Sequence, residues 1–299
     1  MSQERQAMLC GLGAVALWST VATAFKVALS HMSPLELMWL AVLVSWGLMG
    51  VLVLRRGEMR QALRHGWRTA AWAGLMNPVA YYLVLFAAYD RLPGQEAMAL
   101  NYTWALAMAL LAVPILGQRL TRVDIAAGLI AYGGVWIIAT RGAVLDVAFA
   151  DPLGVGMALC STLIWALYWL FNARDSRPPL IAQWQNFSVG LPVLTLLLAL
   201  GPGWQWPGWT GFGAGVYVGL FEMGIAFVLW QLAVQRISRT ARVANLIFLS
   251  PPVSLLLLYS IVGEPIMTST LAGLMLILAG LGLQQCQKTP VPVAESASG

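Results

Sequence analysis

The sequence predicts an all-α membrane protein. It is read as ten transmembrane helices built as a 5+5 inverted repeat, with both termini cytoplasmic. Three observations predict it. Of 299 residues, 60% are hydrophobic and only 10% are charged, against about 25% charged in soluble domains. Ten apolar segments reach the length of roughly 20 residues that a bilayer-crossing helix needs. The second half also echoes the first at an offset of about 145 residues. With a mean hydropathy of +0.76, the chain has too few charges to cover a soluble protein of this size. This excludes a secreted disulfide scaffold, a nucleic-acid-binding domain and a disordered chain.

Span 1 is read from Ala7 to Ala28 and span 2 from Leu35 to Leu54. Span 3 covers Thr69 to Tyr89, span 4 Glu96 to Leu116 and span 5 Val123 to Ala139. Span 6 covers Pro152 to Asn172, span 7 Leu180 to Leu200 and span 8 Gly211 to Val234. Span 9 is Thr240 to Val262 and span 10 Thr268 to Gln285. At ~20 residues each the spans use about 200 residues, so no loop can hold a folded soluble domain. Span 1 is too long for the apolar region of a cleavable signal peptide. The Pro-, Ser- and Ala-containing stretch 287–299 reads as a disordered tail.

Cationic residues set the orientation. With the N-terminus inside, fourteen of the 17 Lys and Arg residues fall on the cytoplasmic side. They include Arg55, Arg56, Arg60, Arg64 and Arg68 after span 2, and Arg236, Arg239 and Arg242 after span 8. The outer loops hold only Arg91 and Arg141, and Lys26 lies in span 1. The positive-inside rule then places both termini in the cytoplasm, as an even span count requires. Trp204, Trp206 and Trp209 in one outer loop suit the membrane interface.

Residues 1–145 form the first five-helix repeat and 146–286 the second. Pro34 with Trp39 matches Pro179 with Trp184, and Gly74-Leu75-Met76-Asn77 matches Gly219-Leu220-Phe221-Glu222. Ala127-Gly128-Leu129 matches Ala272-Gly273-Leu274. A unit of five spans is odd, so two copies must lie in opposite orientations. That is the inverted-repeat plan of secondary transporters, with the substrate site near the midplane between the halves.

Each half also ends in a similar loop before its last span. These are Gly117-Gln118-Arg119-Leu120-Thr121 and Gly263-Glu264-Pro265-Ile266-Met267. With the five-plus-five spans, these loops resemble the drug/metabolite transporter superfamily, EamA type. The segment Ala99-Leu100-Asn101-Tyr102-Thr103-Trp104 is similar to the start of span 4 in aromatic amino-acid exporters of that superfamily. Gln118 stands where Glu is usual, and Ala105 where Pro often follows the Trp. The resemblance implies a bacterial plasma (inner) membrane protein that exports aromatic amino acids.

Few polar residues lie within the spans. Glu222, near the centre of span 8, must face a cavity, pair, or be protonated. It reads either as a carboxylate for a substrate amine or a coupling proton, or as a hydrogen-bonded link between helices. Asn77 is its repeat counterpart. Lys26 either snorkels to the outer headgroups or binds a carboxylate, of the substrate or of an acid such as Glu36. Asn101 in span 4 and Asn245 in span 9 read as cavity-lining amides or as interhelical hydrogen bonds.

Fourteen tryptophans are present, most of them suited to interfacial belts. Trp165 and Trp169, four residues apart, share one helix face. With Trp18, Tyr81 and Tyr82 they are candidates to line a cavity for an aromatic or apolar cargo. Pro78, Pro114, Pro192, Pro251 and Pro252 each remove a backbone donor inside a span. Of these, Pro78, Pro114 and Pro251 are the candidate hinges.

Cys10, Cys160 and Cys286 have no metal-ligand spacing and read as buried small apolar side chains; His31 and His65 fall in loops. No metal site and no cofactor is expected. The leading function is a secondary transporter or facilitator that exports small amphipathic metabolites by alternating access around a midplane cavity. Its partners are then the substrate, membrane lipids and a possible coupling proton, with no nucleic acid and a monomer as the working unit. The alternative is a hydrophobic-cation or multidrug exporter using Glu222. A membrane-embedded lipid enzyme would need a catalytic set that the spans lack, so no enzyme is expected.

Overall fold

A computed structural model describes residues 3–116, 121–145, 151–172, 175–201, 203–236 and 249–285. All regular structure among them is helical. The elements are α1 (Gln3–Leu29), α2 (Pro34–Arg55) and the short α3 (Met59–Arg64). Helix α4 comprises Trp67–Gly74, a π-helical stretch Leu75–Ala80, and Tyr81–Arg91. Helix α5 comprises Gly94–Asn101 and Trp104–Leu116; α6 is Arg122–Ala139, α7 Pro152–Asn172 and α8 Pro179–Leu200. Helix α9 comprises Gly208–Tyr217, the π-helical Val218–Ile225, and Ala226–Arg236. The described part of α10 joins Ser250–Leu257 to a π-helical Leu258–Val262, and α11 is Thr268–Gln285.

Seven of these helices are long and apolar enough to cross a membrane, and three shorter apolar helices accompany them. Their outward faces are apolar: Leu129 is 72% and Leu200 77% exposed. Such side chains are at home in lipid, where the backbone must be satisfied within each helix. Cys160 is also exposed, not buried, so it belongs to this outward face and not to the core. Loop residues 117–120, the start of span 9 with Asn245, Cys286 and the tail lie outside the described residues.

Local sequence sets the helix ends and breaks. Helix α2 starts in a capping box, with Ser33 and Glu36 each bonding the other's backbone and Pro34 in the first turn. Helix α8 has no side-chain cap but also carries a proline, Pro179, in its first turn. Within α4, Pro78 has no N–H to return to the preceding turn, and Asn77 leaves helical geometry at φ −140, ψ 112. Pro251 sits at the start of the described part of α10. Pro114 lies in the last turn of α5. Among the described residues, Pro78 coincides with a break within a helix, whereas Pro114 does not.

Packing pairs α1 with α9 and α7 with α4; α2 with α9 and α8 with α4; α7 with α5 and α1 with α10. Helix α2 also meets α8, and α6 runs along α11. Replacing each helix by the one about 145 residues away leaves this scheme unchanged. The closest approaches repeat it. Gly74 abuts the backbone carbonyl of Asn186, and a Cβ at Gly219 would stand 2.6 Å from the carbonyl oxygen of Ala41. Gly134 and Gly273 bring α6 and α11 into backbone contact, and Gly280 faces the Ala127 carbonyl. Small residues allow such contacts between membrane helices.

Candidate functional site

An aromatic cluster fills the space where α1, α4, α7 and α9 meet. The break in α4 turns Tyr81 and Tyr82 inward, and both are buried. Tyr81 stacks on Trp165, with ring centroids 4.3 Å apart and planes at 24°. Trp165 stacks in turn on Tyr168 at 5.6 Å and meets Trp169 edge-on at 5.7 Å. Phe227 of α9 stands edge-on between Trp165, at 6.2 Å, and Trp18, at 6.1 Å. Trp18 also contacts Trp230 at 5.2 Å. The five aromatic candidates of the sequence thus join one network, with rings from both halves of the chain.

Polar atoms border these rings. The Tyr82 hydroxyl donates to Glu222 Oε1 at 3.1 Å. Glu222 Oε2, Asn77 Oδ1, Trp169 Nε1 and Asn186 Nδ2 are buried without a protein partner. A buried unsatisfied polar group costs about 1–3 kcal/mol. Several beside one aromatic network fit a site that a polar ligand completes. Asn101 lies beside the Tyr81 hydroxyl and donates to Ser161 Oγ at 3.2 Å. It thus links α5 to α7 beside the aromatic cluster.

Lys26 stands apart. Its ammonium donates to the carbonyls of Tyr89 (3.0 Å) and Leu92 (3.1 Å), at the C-terminal end of α4. Cations favour that end of a helix. Its acidic neighbour is Glu264, at 3.8 Å, and not Glu36, which is held by Ser33 and the Gln205 N–H. An open groove of about 520 Å³ lies beside Lys26, bordered by His31, Asp90 and Ile261.

The Gly-Glu loop before α11 has a clear physical role. Glu264 accepts the backbone N–H groups of Gly94 (2.9 Å) and Gln95 (3.4 Å), and so caps α5. Gln95 returns two bonds, to the Pro265 carbonyl at 2.6 Å and from the Met267 N–H at 3.0 Å. The loop of one half thereby fixes the start of a helix in the other. Nearby, Arg141 pairs with buried Glu96 at 2.9 Å.

At the opposite end from Lys26, Asp175 and Arg177 pair at 2.6 Å, with side chains 6% and 9% exposed. Burial alone would raise the Asp175 carboxyl, but the side chain, backbone N–H and charge of Arg177 outweigh it and hold the group below its usual value. Arg177 also donates to Gln185 Oε1 (2.9 Å) and Asn186 Oδ1 (3.1 Å). Gln185 in turn donates to the carbonyls of Ala62 and His65, tying α8 to the segment around α3. The sequence reading passes over Gln185, Asn186 and Tyr168. The first two had a legible signal, since Gln183, Gln185 and Asn186 make a polar run inside an otherwise apolar span.

Comparison with known proteins agrees with this architecture. Residues 5–140 and 152–284 match the EamA-like transporter family. The aromatic amino acid exporter YddG of Ancylobacter novellus is 28% identical over 235 residues, covering 77% of this chain and 80% of that protein. A probable terminal-alkyne amino-acid exporter of Streptantibioticus cattleyicolor is 26% identical over 284 residues, 90% of each chain. One crystal structure aligns with a TM-score of 0.67 at 25% identity, covering 93% of this chain and 96% of that one.

Proposed function

The chain belongs to the EamA-like transporter family, and from that premise we propose that it exports aromatic amino acids across a bacterial inner membrane by alternating access. It is a transporter and not an enzyme. The observation that carries the cargo is the stack of Tyr81 on Trp165, bordered by the unsatisfied polar atoms of Glu222 and Asn77. Aromatic rings bury a cargo ring, and polar atoms beside them take its charged groups.

Ten spans, divided as 1–145 and 146–286 in inverted orientation, are the frame of this reading. The exchange symmetry of the helix packing supports it. So do the reciprocal contacts of Gly74 with Asn186 and of Gly219 with Ala41. Rocking of the two halves would open the aromatic site to either face in turn. Both termini lie in the cytoplasm, a monomer encloses the site, and Glu222 is the group to bind a coupling proton.

One observation favours a second reading. Glu222 keeps a buried, unpartnered carboxylate oxygen beside the aromatic cluster, which would also suit a hydrophobic cation. Counterflow of labelled phenylalanine or tryptophan in proteoliposomes separates the two. Saturable uptake, blocked by related aromatic amino acids and not by a lipophilic cation, supports the amino-acid exporter. Absent amino-acid flux with transport of the cation would replace it by the cation exporter.

A further inference from the structure

Two buried amides face the aromatic cluster from opposite halves of the chain. Asn77 sits in the break of α4, and Asn186 sits in α8; each is 1% exposed. Their backbones are held close together. Gly74, three residues before Asn77, abuts the Asn186 carbonyl, and a Cβ at Gly190 would stand 2.7 Å from Pro78 Cγ. Both side chains lie beside the Tyr168 hydroxyl, and Tyr168 stacks on Trp165.

The free atoms are complementary. Asn77 is left with an unsatisfied acceptor, Oδ1, and Asn186 with an unsatisfied donor, Nδ2. They do not satisfy each other, and the Tyr168 hydroxyl stands beside both. The orientation of Asn186 is fixed by its surroundings. Arg177 Nη2 donates to its Oδ1 at 3.1 Å, and a flipped amide would set an N–H₂ against a guanidinium, donor against donor. The guanidinium also polarises the amide, which makes Nδ2 a better donor.

A free donor and acceptor beside an aromatic wall match the carboxylate, ammonium and ring of one molecule. We propose that Asn186 and Asn77 read the main-chain ends of an amino-acid cargo: Asn186 Nδ2 donates to the α-carboxylate, and Asn77 Oδ1 accepts from the α-ammonium. Arg177 is a positioning residue that holds Asn186 in this orientation. The inference rests on the amino-acid reading above and deepens it. The bound zwitterion bridges the two halves, and its carboxylate end is linked through Asn186 to the buried Arg177–Asp175 pair. Occupancy of the site is thereby coupled to the contacts that Arg177 and Gln185 make with the segment around α3.

The test is counterflow of labelled phenylalanine in proteoliposomes, competed by phenylalanine, its methyl ester and phenethylamine. In the wild type, the ester and the amine are expected to compete at least tenfold less well than the acid. Asn186→Asp keeps the shape and the Arg177 contact but exchanges the donor for an anionic acceptor. It is expected to raise the KM for phenylalanine at least tenfold relative to its effect on the ester. Arg177→Gln frees the amide to flip and is expected to move the same ratio by a smaller factor. Equal competition by phenethylamine in the wild type would overturn the proposal without any variant. A shift by Asn186→Asp that is the same for acid and ester would also overturn it. If the wild type shows no amino-acid flux, the proposed function fails first. Flux without carboxylate discrimination defeats this inference alone.

Discussion

Replacing Glu264 by alanine removes the cap of a helix in the other half of the chain. Two backbone N–H groups, those of Gly94 and Gln95, lose their acceptor, and Lys26 loses the carboxylate 3.8 Å from its ammonium. Losing an N-cap costs about 0.5–2 kcal/mol. A hydrogen bond to a charged group contributes about 1.5–3 kcal/mol. The Lys26 pair adds at most about 1 kcal/mol, because it is long and partly exposed. These contributions overlap, since the cap is itself the charged hydrogen bond, so the expected loss is about 2–4 kcal/mol. Glu264→Gln keeps one carbonyl acceptor and should lose about half as much. Unfolding of the purified protein in detergent, followed by helical signal against denaturant, measures both. A loss below about 0.5 kcal/mol for alanine, or equal losses for alanine and glutamine, would refute the capping argument.

Other consequences follow from the same geometry. Gly74→Ala pushes a methyl group against the Asn186 carbonyl and should destabilise by about 1–3 kcal/mol. Gly47→Ala meets nothing within 4 Å and should be neutral or stabilising by up to about 1 kcal/mol in the same unfolding assay. Tyr82→Phe removes the donor to Glu222 Oε1 and should weaken cargo binding several-fold, read as KM in counterflow. Asp175 carries a depressed carboxyl pKa, so its stabilisation is present above the unfolded-state value and is lost as pH falls through the folded-state value. The thermal midpoint of wild type minus that of Asp175→Asn should therefore shrink as pH drops below the ordinary carboxylate range. An unchanged difference there would remove Asp175 from the account.

The sequence makes the fold legible because lipid imposes a simple rule: long apolar runs must be helical. Trp165 and Trp169 are legible as a pair because four residues place two side chains on one helix face. Tyr81 and Tyr82 are legible by their place one turn past Asn77. Their common meeting with Trp18 through Phe227 is not, because it depends on how α1 and α9 pack. Lys26 illustrates the limit of reading acids by nearness in sequence. Glu36 is ten residues away, but the capping box consumes it, and the partner is Glu264 from the far end of the chain. Asn186 was visible as an intramembrane amide, but its free donor follows only from the Arg177 contact, which no periodicity encodes. The Gly-Glu loop was legible as a motif, whereas its action as a cap on α5 required the tertiary fold.

The central claim is that aromatic amino acids cross the membrane through the Tyr81–Trp165 stack. It is tested most directly by measuring phenylalanine counterflow side by side for the wild type and Trp165→Leu. The variant keeps an apolar side chain but removes the ring that contacts Tyr81, Tyr168, Trp169 and Phe227. Aromatic pairs contribute about 0.5–1.5 kcal/mol each beyond their buried area. The account predicts saturable flux in the wild type and a KM raised at least tenfold in Trp165→Leu, with the protein still folded. Wild-type flux with an unchanged KM in the variant would contradict it.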